Sequence, residues 1–232
     1  MKPFFTCLLL LAAGLVYGQA FTYPAIQQKA TRLEDFVPAN WTLMDYATGD
    51  LNKDKLKDAA MVLEYRDSIQ IVKATKDTVI TQPRMLLIVF KDSTDEYYYV
   101  AEQSQSFIQN HDNPIMSDPF EGIYINKGIL QIDFSFFASM GSWYMSGTSY
   151  KFRYQQGEFV LIGADKHSIH RGSLDYEEYS YNFLTKKRSL TKGNEGDSKK
   201  KTTWKTLNIP VLKTLKTLRE PYTWEVEKDK FL

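Results

Sequence analysis

Apolar and polar residues alternate along two stretches in the second half of the chain. Apolar side chains fall on every second position of residues 130–136 and of residues 150–154. A period of two places them on one face of a β-strand. Residues 85–90 are instead continuously apolar, which predicts a strand buried on both faces. Turn-forming residues at 92–95 and a second apolar run at 97–101 complete a predicted β-hairpin.

Helical periodicity is confined to two short segments near the ends of the chain. Residues 25–36 predict a short N-terminal helix. Residues 211–219 predict a C-terminal helix that is capped by Asn208 and stopped by Pro221. Aromatic residues make up 14% of the chain, a composition that favours strands over helices. We therefore predict an all-β fold of antiparallel sheets with short N- and C-terminal helices.

Residues 1–20 have the organisation of a secretory signal peptide. Lys2 provides the positive start, and residues 8–13 provide the short apolar run. Gly18 and Ala20 are the small residues after which we expect cleavage. The apolar run is too short to span a bilayer. We expect a soluble exported protein, periplasmic or extracellular, without a transmembrane segment.

The single cysteine and the distribution of charge restrict which chemistry and which partners the remaining chain can have. Cys7, the only cysteine, lies within the apolar run and not at the cleavage point, so we expect neither a lipid anchor nor disulfides. Residues 21–184 hold 15 basic and 22 acidic residues, whereas residues 185–205 hold 8 basic and 2 acidic ones. We predict a single β-rich domain over residues 21–232 with a basic hairpin at 185–205. The formal net charge of +1 argues against nucleic-acid binding.

One segment, residues 50–58, carries a pattern that predicts a structural calcium site. Calcium binds roughly six to eight hard oxygen ligands, and without a cation each pair of neighbouring carboxylates costs about 1–4 kcal/mol. The predicted ligands are the side chains of Asp50, Asn52, Asp54 and Asp58 and the backbone carbonyl of Leu56. Lys55 occupies the position usually taken by Gly, which predicts left-handed backbone there. A metal-free, Asx-rich turn is the alternative.

The same loop resembles a known calcium-binding motif. The sequence GDLNKD at 49–54, followed by Asp58 and the apolar run at 59–63, resembles the calcium loop of FG-GAP/VCBS-type repeats, the blade motif of integrin-alpha-like β-propellers. The resemblance covers residues 46–65. It implies a loop between two antiparallel strands, a structural Ca²⁺ and a partial or irregular propeller, with a β-sandwich or barrel as the alternative. The motif occurs once, where a propeller would repeat it. More loosely, the whole chain is similar to uncharacterised exported proteins of Gram-negative bacteria that carry one such loop.

A second short motif suggests an alternative function. The sequence SGTSY at 146–150 resembles the SGxxY loop of bacterial periplasmic lysozyme inhibitors, in which the Ser and the Tyr enter the cleft of the enzyme. The resemblance implies that Ser146 and Tyr150 lie at a protruding hairpin tip, and an acidic body would steer a cationic hydrolase towards it. An ordinary turn is the alternative, and Tyr150 also fits a buried strand position.

The stretch 134–154 is rich in aromatic residues, most of which suit a core. Trp143 and Tyr144 stand beside Gly141 and are candidates for stacking on a sugar or a peptide if they are exposed. His167 and His170 are three residues apart, so on a strand they point to opposite faces and do not share a metal ion.

The sequence contains no GxSxG, HExxH or P-loop motif, so we do not expect an enzyme. The predicted function is that of an exported, non-enzymatic, calcium-stabilised binding or scaffold domain with a protein or glycan partner. The alternative is a periplasmic inhibitor of a lysozyme-like cell-wall hydrolase. An enzyme with dispersed carboxylates is a third possibility, which a concave pocket with two converging carboxylates would favour.

Overall fold

The computed structural model of the chain describes residues 21–72 and 77–232, of which strands form the greater part. Strands account for 56% of the structure and helices for 4%, which confirms the all-β class with few helices. Strands β1–β7 lie at Lys29–Ala30, Trp41–Gly49, Asp58–Tyr65, Ile69–Val72, Thr78–Thr81, Arg84–Lys91 and Tyr98–Ser104. Strands β8–β16 lie at Phe120–Asn126, Ile129–Phe136, Tyr144–Gln155, Glu158–His170, Asp175–Asn182, Lys187–Asn194, Asp197–Thr206, Glu225–Glu227 and Lys230–Phe231. The predicted signal peptide at 1–20 lies outside the described residues.

The first half of the chain builds a five-stranded antiparallel sheet in the order β1-β7-β6-β3-β2. Its two central strands, β3 and β6, are buried on both faces, and the predicted hairpin is the β6–β7 pair. One face of the sheet packs against the N-terminal segment through residues such as Met61 and Phe36. The other face contributes Val62 and Ile88 to a larger cluster that it shares with the second sheet. Residues 85–90 are continuously apolar because the N-terminal segment packs on one face of β6 and the second sheet packs on the other.

The second half builds a seven-stranded antiparallel sheet in the order β14-β13-β12-β11-β10-β9-β8. Every neighbour in this order is also a neighbour in sequence, so the sheet is a chain of hairpins. The predicted alternation places Leu130, Ile132 and Phe152 on the inner face, where they meet the five-stranded sheet. A shared apolar cluster between two sheets is typical of the sandwich alternative. Among the described residues neither sheet closes on itself.

The N-terminal helix predicted at 25–36 is wrong. Lys29 and Ala30 form β1, which pairs with β7 at the edge of the five-stranded sheet, and only Leu33–Phe36 forms a single 3-10 turn. Ile26, Ala30 and Phe36 are all buried against that sheet. Contact with a sheet edge therefore outweighs a weak local preference for helix.

The C-terminal helix predicted at 211–219 is much shorter than expected. Helix α1 covers only Leu215–Leu218 and is capped by Thr214, not by Asn208. The residues before it are held in an extended form, because Leu161 N donates to the Lys213 carbonyl and Thr214 bridges Val160 of β11. Because Lys213 and Thr214 bond to β11, only the residues after them are free to form a helical turn.

The C-terminal segment covers the part of the inner face that the five-stranded sheet leaves free. Tyr222 N donates to the Tyr150 hydroxyl across 3.0 Å, and Arg188 pairs with Glu227 across 2.7 Å. Leu232 is fully buried in the shared cluster. The opposite face of the seven-stranded sheet carries polar and exposed side chains. Within the described ranges, no helix has the length and apolar content needed to cross a bilayer.

Candidate metal-binding loop and aromatic surface

The predicted metal loop connects two antiparallel strands, β2 and β3, whose last pair is Gly49 with Asp58. Leu51 anchors the loop, since its side chain is fully buried in the shared cluster. Lys53 and Lys55 have φ values of 69° and 74°. The left-handed backbone predicted at Lys55 is therefore confirmed, and a lysine there costs about 1 kcal/mol relative to Gly.

The acidic side chains of the loop turn towards its own backbone. Asp50 accepts hydrogen bonds from Lys53 N and Lys55 N at 2.6 and 3.0 Å. Asp54 accepts from Leu56 N at 2.7 Å and from the side-chain amide of Asn52 at 2.9 Å. The loop is thus curled and its carboxylates bond to its own backbone, although the Asp54 side chain stays exposed. The lysines at 53, 55 and 57 are exposed, as the alternating pattern predicts.

Asp58 lies at the base of the loop and is fully buried. One of its carboxylate oxygens accepts from Leu51 N at 2.7 Å and from Asn52 N at 3.3 Å, and the other accepts from Lys91 N at 3.0 Å. Burial raises the pKa of Asp58 above its ordinary value, although these backbone donors oppose the shift. Asp58 therefore ties the metal loop to the end of β6.

The donor chemistry of the loop fits a hard cation such as Ca²⁺. A carboxylate has about four lone-pair positions, so an oxygen that accepts one backbone N–H retains capacity for a metal ion. As placed, however, the carboxylates of Asp50, Asp54 and Asp58 do not share one centre. Within residues 21–72 and 77–232, no group of three or more His, Cys, Asp or Glu side chains is positioned to hold a metal ion. The calcium ligand set stays a prediction.

The protruding loop predicted at 146–150 is wrong. Ser146 and Tyr150 both belong to β10, which pairs with β9 on one side and β11 on the other. Tyr150 is fully buried, and its ring makes edge contacts with Phe107 and Phe134. Burial also raises the pKa of its hydroxyl. The tyrosine therefore fills the core and is not available to enter the cleft of an enzyme.

Trp143 and Tyr144 are exposed, as their candidate role requires. Their relative exposures are 66% and 57%, and both rings rest on His170. The Trp143 ring is stacked at 20° with centroids 6.0 Å apart, and the Tyr144 ring is perpendicular at 5.0 Å. Met140, earlier in the chain, is 70% exposed, whereas Met145 pairs with Ile169 and points to the opposite face of the sheet. We call Trp143, Tyr144 and His170 the aromatic surface.

The aromatic surface lies where β10 begins and β11 ends, and backbone hydrogen bonds from the residues after β11 hold it in place. Arg171 N donates to the Trp143 carbonyl at 2.8 Å, and the Arg171 guanidinium donates to the Ser142 carbonyl. Ser173 N donates to Nδ1 of His170 at 3.0 Å, which fixes the supporting ring. Such supports lower the entropy that ordering these side chains on a ligand would cost.

A cleft of about 620 Å³ adjoins the aromatic surface. Tyr144 and His170 form one side of it, and Asp175, Glu177 and Lys192 lie on the other. Glu177 and Lys192 form an ion pair across two strands. The cleft is therefore lined by aromatic rings and by charged side chains of both signs, with one acidic group in excess.

The role of His170 as the support of both rings is not visible in the sequence. It depends on the pairing of Tyr144 with His170 across β10 and β11, which only a known register reveals. The sequence does predict that His167 and His170 lie on opposite faces of a strand. The structure agrees, because His167 lies over Gly147 on the other face of the sheet.

Two further carboxylate and charge predictions are settled by the strand register. Glu177 and Glu178 are neighbours on β12 and point to opposite faces, so they do not form a catalytic pair. The basic residues of 185–205 do form a hairpin, β13 with β14. Its outer strand carries the lysines at 199–201.

Comparison with known proteins gives no relative. No protein-family model matches the chain, and neither a curated protein nor a solved structure is detectably similar to it. The FG-GAP/VCBS resemblance therefore rests on the sequence of the loop alone. Function has to be inferred from the surfaces described above.

Proposed function

We propose that this chain is an exported, non-enzymatic binding domain whose partner surface is the aromatic surface. The observation that carries the proposal is the exposure of Trp143 and Tyr144 on a support fixed by backbone hydrogen bonds. Two large rings exposed side by side are costly in water unless a partner covers them. Their removal from water on binding is the source of affinity.

The chemistry of this surface favours a partner with apolar side chains or flat sugar faces. Tryptophan and tyrosine supply much of the binding energy at protein interfaces. Among the candidate partners, this enrichment favours a protein segment. The ion pair of Glu177 with Lys192, which lines the cleft, would orient the polar groups of a bound partner.

Calcium is the proposed stabiliser of the loop at 50–58, in the manner of a single FG-GAP/VCBS-type motif. Support comes from the spacing of the oxygen donors and from the left-handed Lys55. Asp50, Asn52, Asp54, Asp58 and the Leu56 carbonyl would hold the ion. It would supply positive charge to a loop that otherwise keeps its carboxylates apart by bonding each to the backbone.

Export is proposed from the sequence of residues 1–20, and N-terminal sequencing of the secreted product would locate the cleavage after Gly18 or Ala20. The absence of an enzymatic role is a proposal as well. Its support is the divergence of Glu177 and Glu178 and the lack of the nucleophile and metal motifs sought in the sequence.

A selected peptide ligand tests the binding proposal. Phage-displayed random dodecapeptides are selected on the wild-type protein and counter-selected on Trp143→Ala. We expect enriched peptides with apolar or aromatic residues, whose affinity falls about tenfold or more in Trp143→Ala. The matched control is Trp204→Ala, which removes an equally exposed ring far along the sheet and should leave affinity unchanged. Failure to enrich, or equal binding to Trp143→Ala, would contradict the proposal.

A further inference from the structure

Strand β14 has a neighbour on one side only. It pairs with β13 and ends the seven-stranded sheet, and all ten of its residues, Asp197–Thr206, are exposed. No described strand lies along its other side, so backbone N–H and C=O groups on that side face solvent. At about 3.3 Å per residue the free edge is about 33 Å long. An edge of this kind is a template for a further strand.

The free edge is strongly basic. Lysines at 199–201 alternate between the two faces of the strand, so both faces of the edge carry positive charge. Neighbouring lysines are neutralised within the chain, because Lys192 pairs with Glu177 and Lys205 pairs with Glu227. Within the part of the chain that the structure describes, the side chains of 199–201 form no ion pair.

The register of the hairpin sets two lysines opposite each other, and only one of them has a carboxylate partner. Lys201 lies directly opposite Lys192, and like charges that face each other across antiparallel strands are destabilising. Glu177 reaches Lys192 from the other side, on β12, and not Lys201. A carboxylate arriving along the free edge would relieve this repulsion. An incoming strand with acidic residues at alternate positions would meet Lys199 and Lys201 on one face.

The opposite face of the same edge offers an apolar anchor. Trp204 is 72% exposed and lies across from Ser189 on the outer face of the sheet. Tryptophan has little rotamer freedom and a large apolar area, so it binds well when a partner covers it. A strand that places acidic residues on the face of Lys199 and Lys201 places its other residues on the face of Trp204.

We propose that β14 binds an acidic, extended peptide segment of a partner protein by strand addition. Backbone hydrogen bonds along the edge supply affinity, and the lysines select acidic side chains. A second copy of this chain is excluded as the occupant, because pairing two β14 edges would set lysines against lysines. The proposed site is separate from the aromatic surface, so each can fail without the other.

The test uses a fluorescein-labelled decapeptide of alternating Glu and Val, with binding measured by fluorescence anisotropy on the full chain at low salt. We expect the double variant Lys199→Glu/Lys201→Glu to weaken binding about tenfold or more. The matched control Lys186→Glu/Lys187→Glu makes the same charge change in the preceding turn and on β13, and should cost much less. Trp143→Ala should have no effect.

A second peptide separates strand pairing from simple attraction between charges. Methylation of the backbone nitrogens in the central six residues keeps all the carboxylates but removes the N–H donors, and should abolish binding. The proposal is overturned if this peptide or a heparin hexasaccharide binds as tightly as the parent peptide. It is equally overturned if the parent peptide does not bind at about 1 mM, or if the two double variants lose affinity equally.

Discussion

The carboxylate of Asp58 is fully buried at the base of the metal loop and is satisfied entirely by backbone donors. Its three partners are the N–H groups of Leu51, Asn52 and Lys91. Two of these belong to the loop and the third lies at the end of β6, 33 residues away in sequence. Loss of an acceptor leaves buried donors unpaired, which costs more than the bonds themselves contribute.

We expect Asp58→Ala to lower the free energy of unfolding by about 3–4.5 kcal/mol, from three unpaired N–H groups at about 1–1.5 kcal/mol each. The matched control is Asp92→Ala, which removes an exposed carboxylate that bonds Thr94 in the turn after β6. That change should cost less than about 1 kcal/mol. Urea unfolding of both variants measures the difference, and similar losses for the two would refute the role given to Asp58.

At the same scale, the sequence predicts the local backbone of the loop but not its contacts with residues that are far away in sequence. The spacing of oxygen donors is enough to predict a curled hairpin connection and the left-handed backbone of Lys55. It does not show that Asp58 bonds to Lys91, because that contact depends on how β3 and β6 pair. A buried strand position for Tyr150 is among the alternatives that the sequence offers, but its partner Tyr222, 72 residues away, is not visible in the sequence.

Among the elements, the C-terminal hairpin of β15 and β16 is the one most dependent on charge. Glu227 pairs with Arg188 of β13, with side chains only 7% and 10% exposed, and also with Lys205 of β14. Burial by itself would raise the pKa of Glu227, but the hydrogen bonds from Arg188 and Lys205 outweigh it and hold the pKa below its ordinary value. The pair therefore joins the C-terminus to two strands of the large sheet.

We expect Glu227→Gln to lower the free energy of unfolding by about 3 kcal/mol at pH 7, because it leaves Arg188 buried without its counter-charge. Glu225→Gln, on the same strand but exposed, is the control and should cost less than about 0.5 kcal/mol. Because the pKa of Glu227 is lower in the folded state, its contribution is present above about pH 4.3 and is lost as the pH falls through the folded value.

The loss at low pH supplies an independent check on the same pair. Chemical unfolding followed from pH 7 to pH 3 should show the gap between wild type and Glu227→Gln shrinking in acid. A gap that stays constant would mean that the carboxylate does not act through its charge.

The sequence predicts some of the strands correctly but predicts the two helices poorly, and this difference has a physical cause. Alternation over 130–136 and 150–154 reports directly on a face buried by the other sheet, so these strands are predicted correctly. The segments at 25–36 and 211–219 have weak helical patterns, and contacts with sheet edges decide their form. Short segments near the ends of a chain follow tertiary contacts more than propensity.

At the scale of the whole molecule, the shared core and the two proposed binding surfaces occupy different parts of the structure. The inner faces of the two sheets share a core, which the C-terminal segment completes. The aromatic surface and the β14 edge lie outside this core and contribute little to it. We therefore expect substitutions on the aromatic surface or on the β14 edge to leave the unfolding transition in place.

The calcium proposal concerns the scaffold and can be tested without knowing any partner. Thermal unfolding is compared in millimolar calcium and in excess chelator, for the wild-type protein, for Asp54→Ala and for the control Asp92→Ala. A bound ion stabilises the folded state by mass action, and each kcal/mol raises the melting temperature by about 2–4 °C in a chain of this size. We predict a calcium-dependent rise of several degrees in the wild type and in Asp92→Ala, and none in Asp54→Ala. Identical melting curves for the wild type with calcium and with chelator would contradict the account.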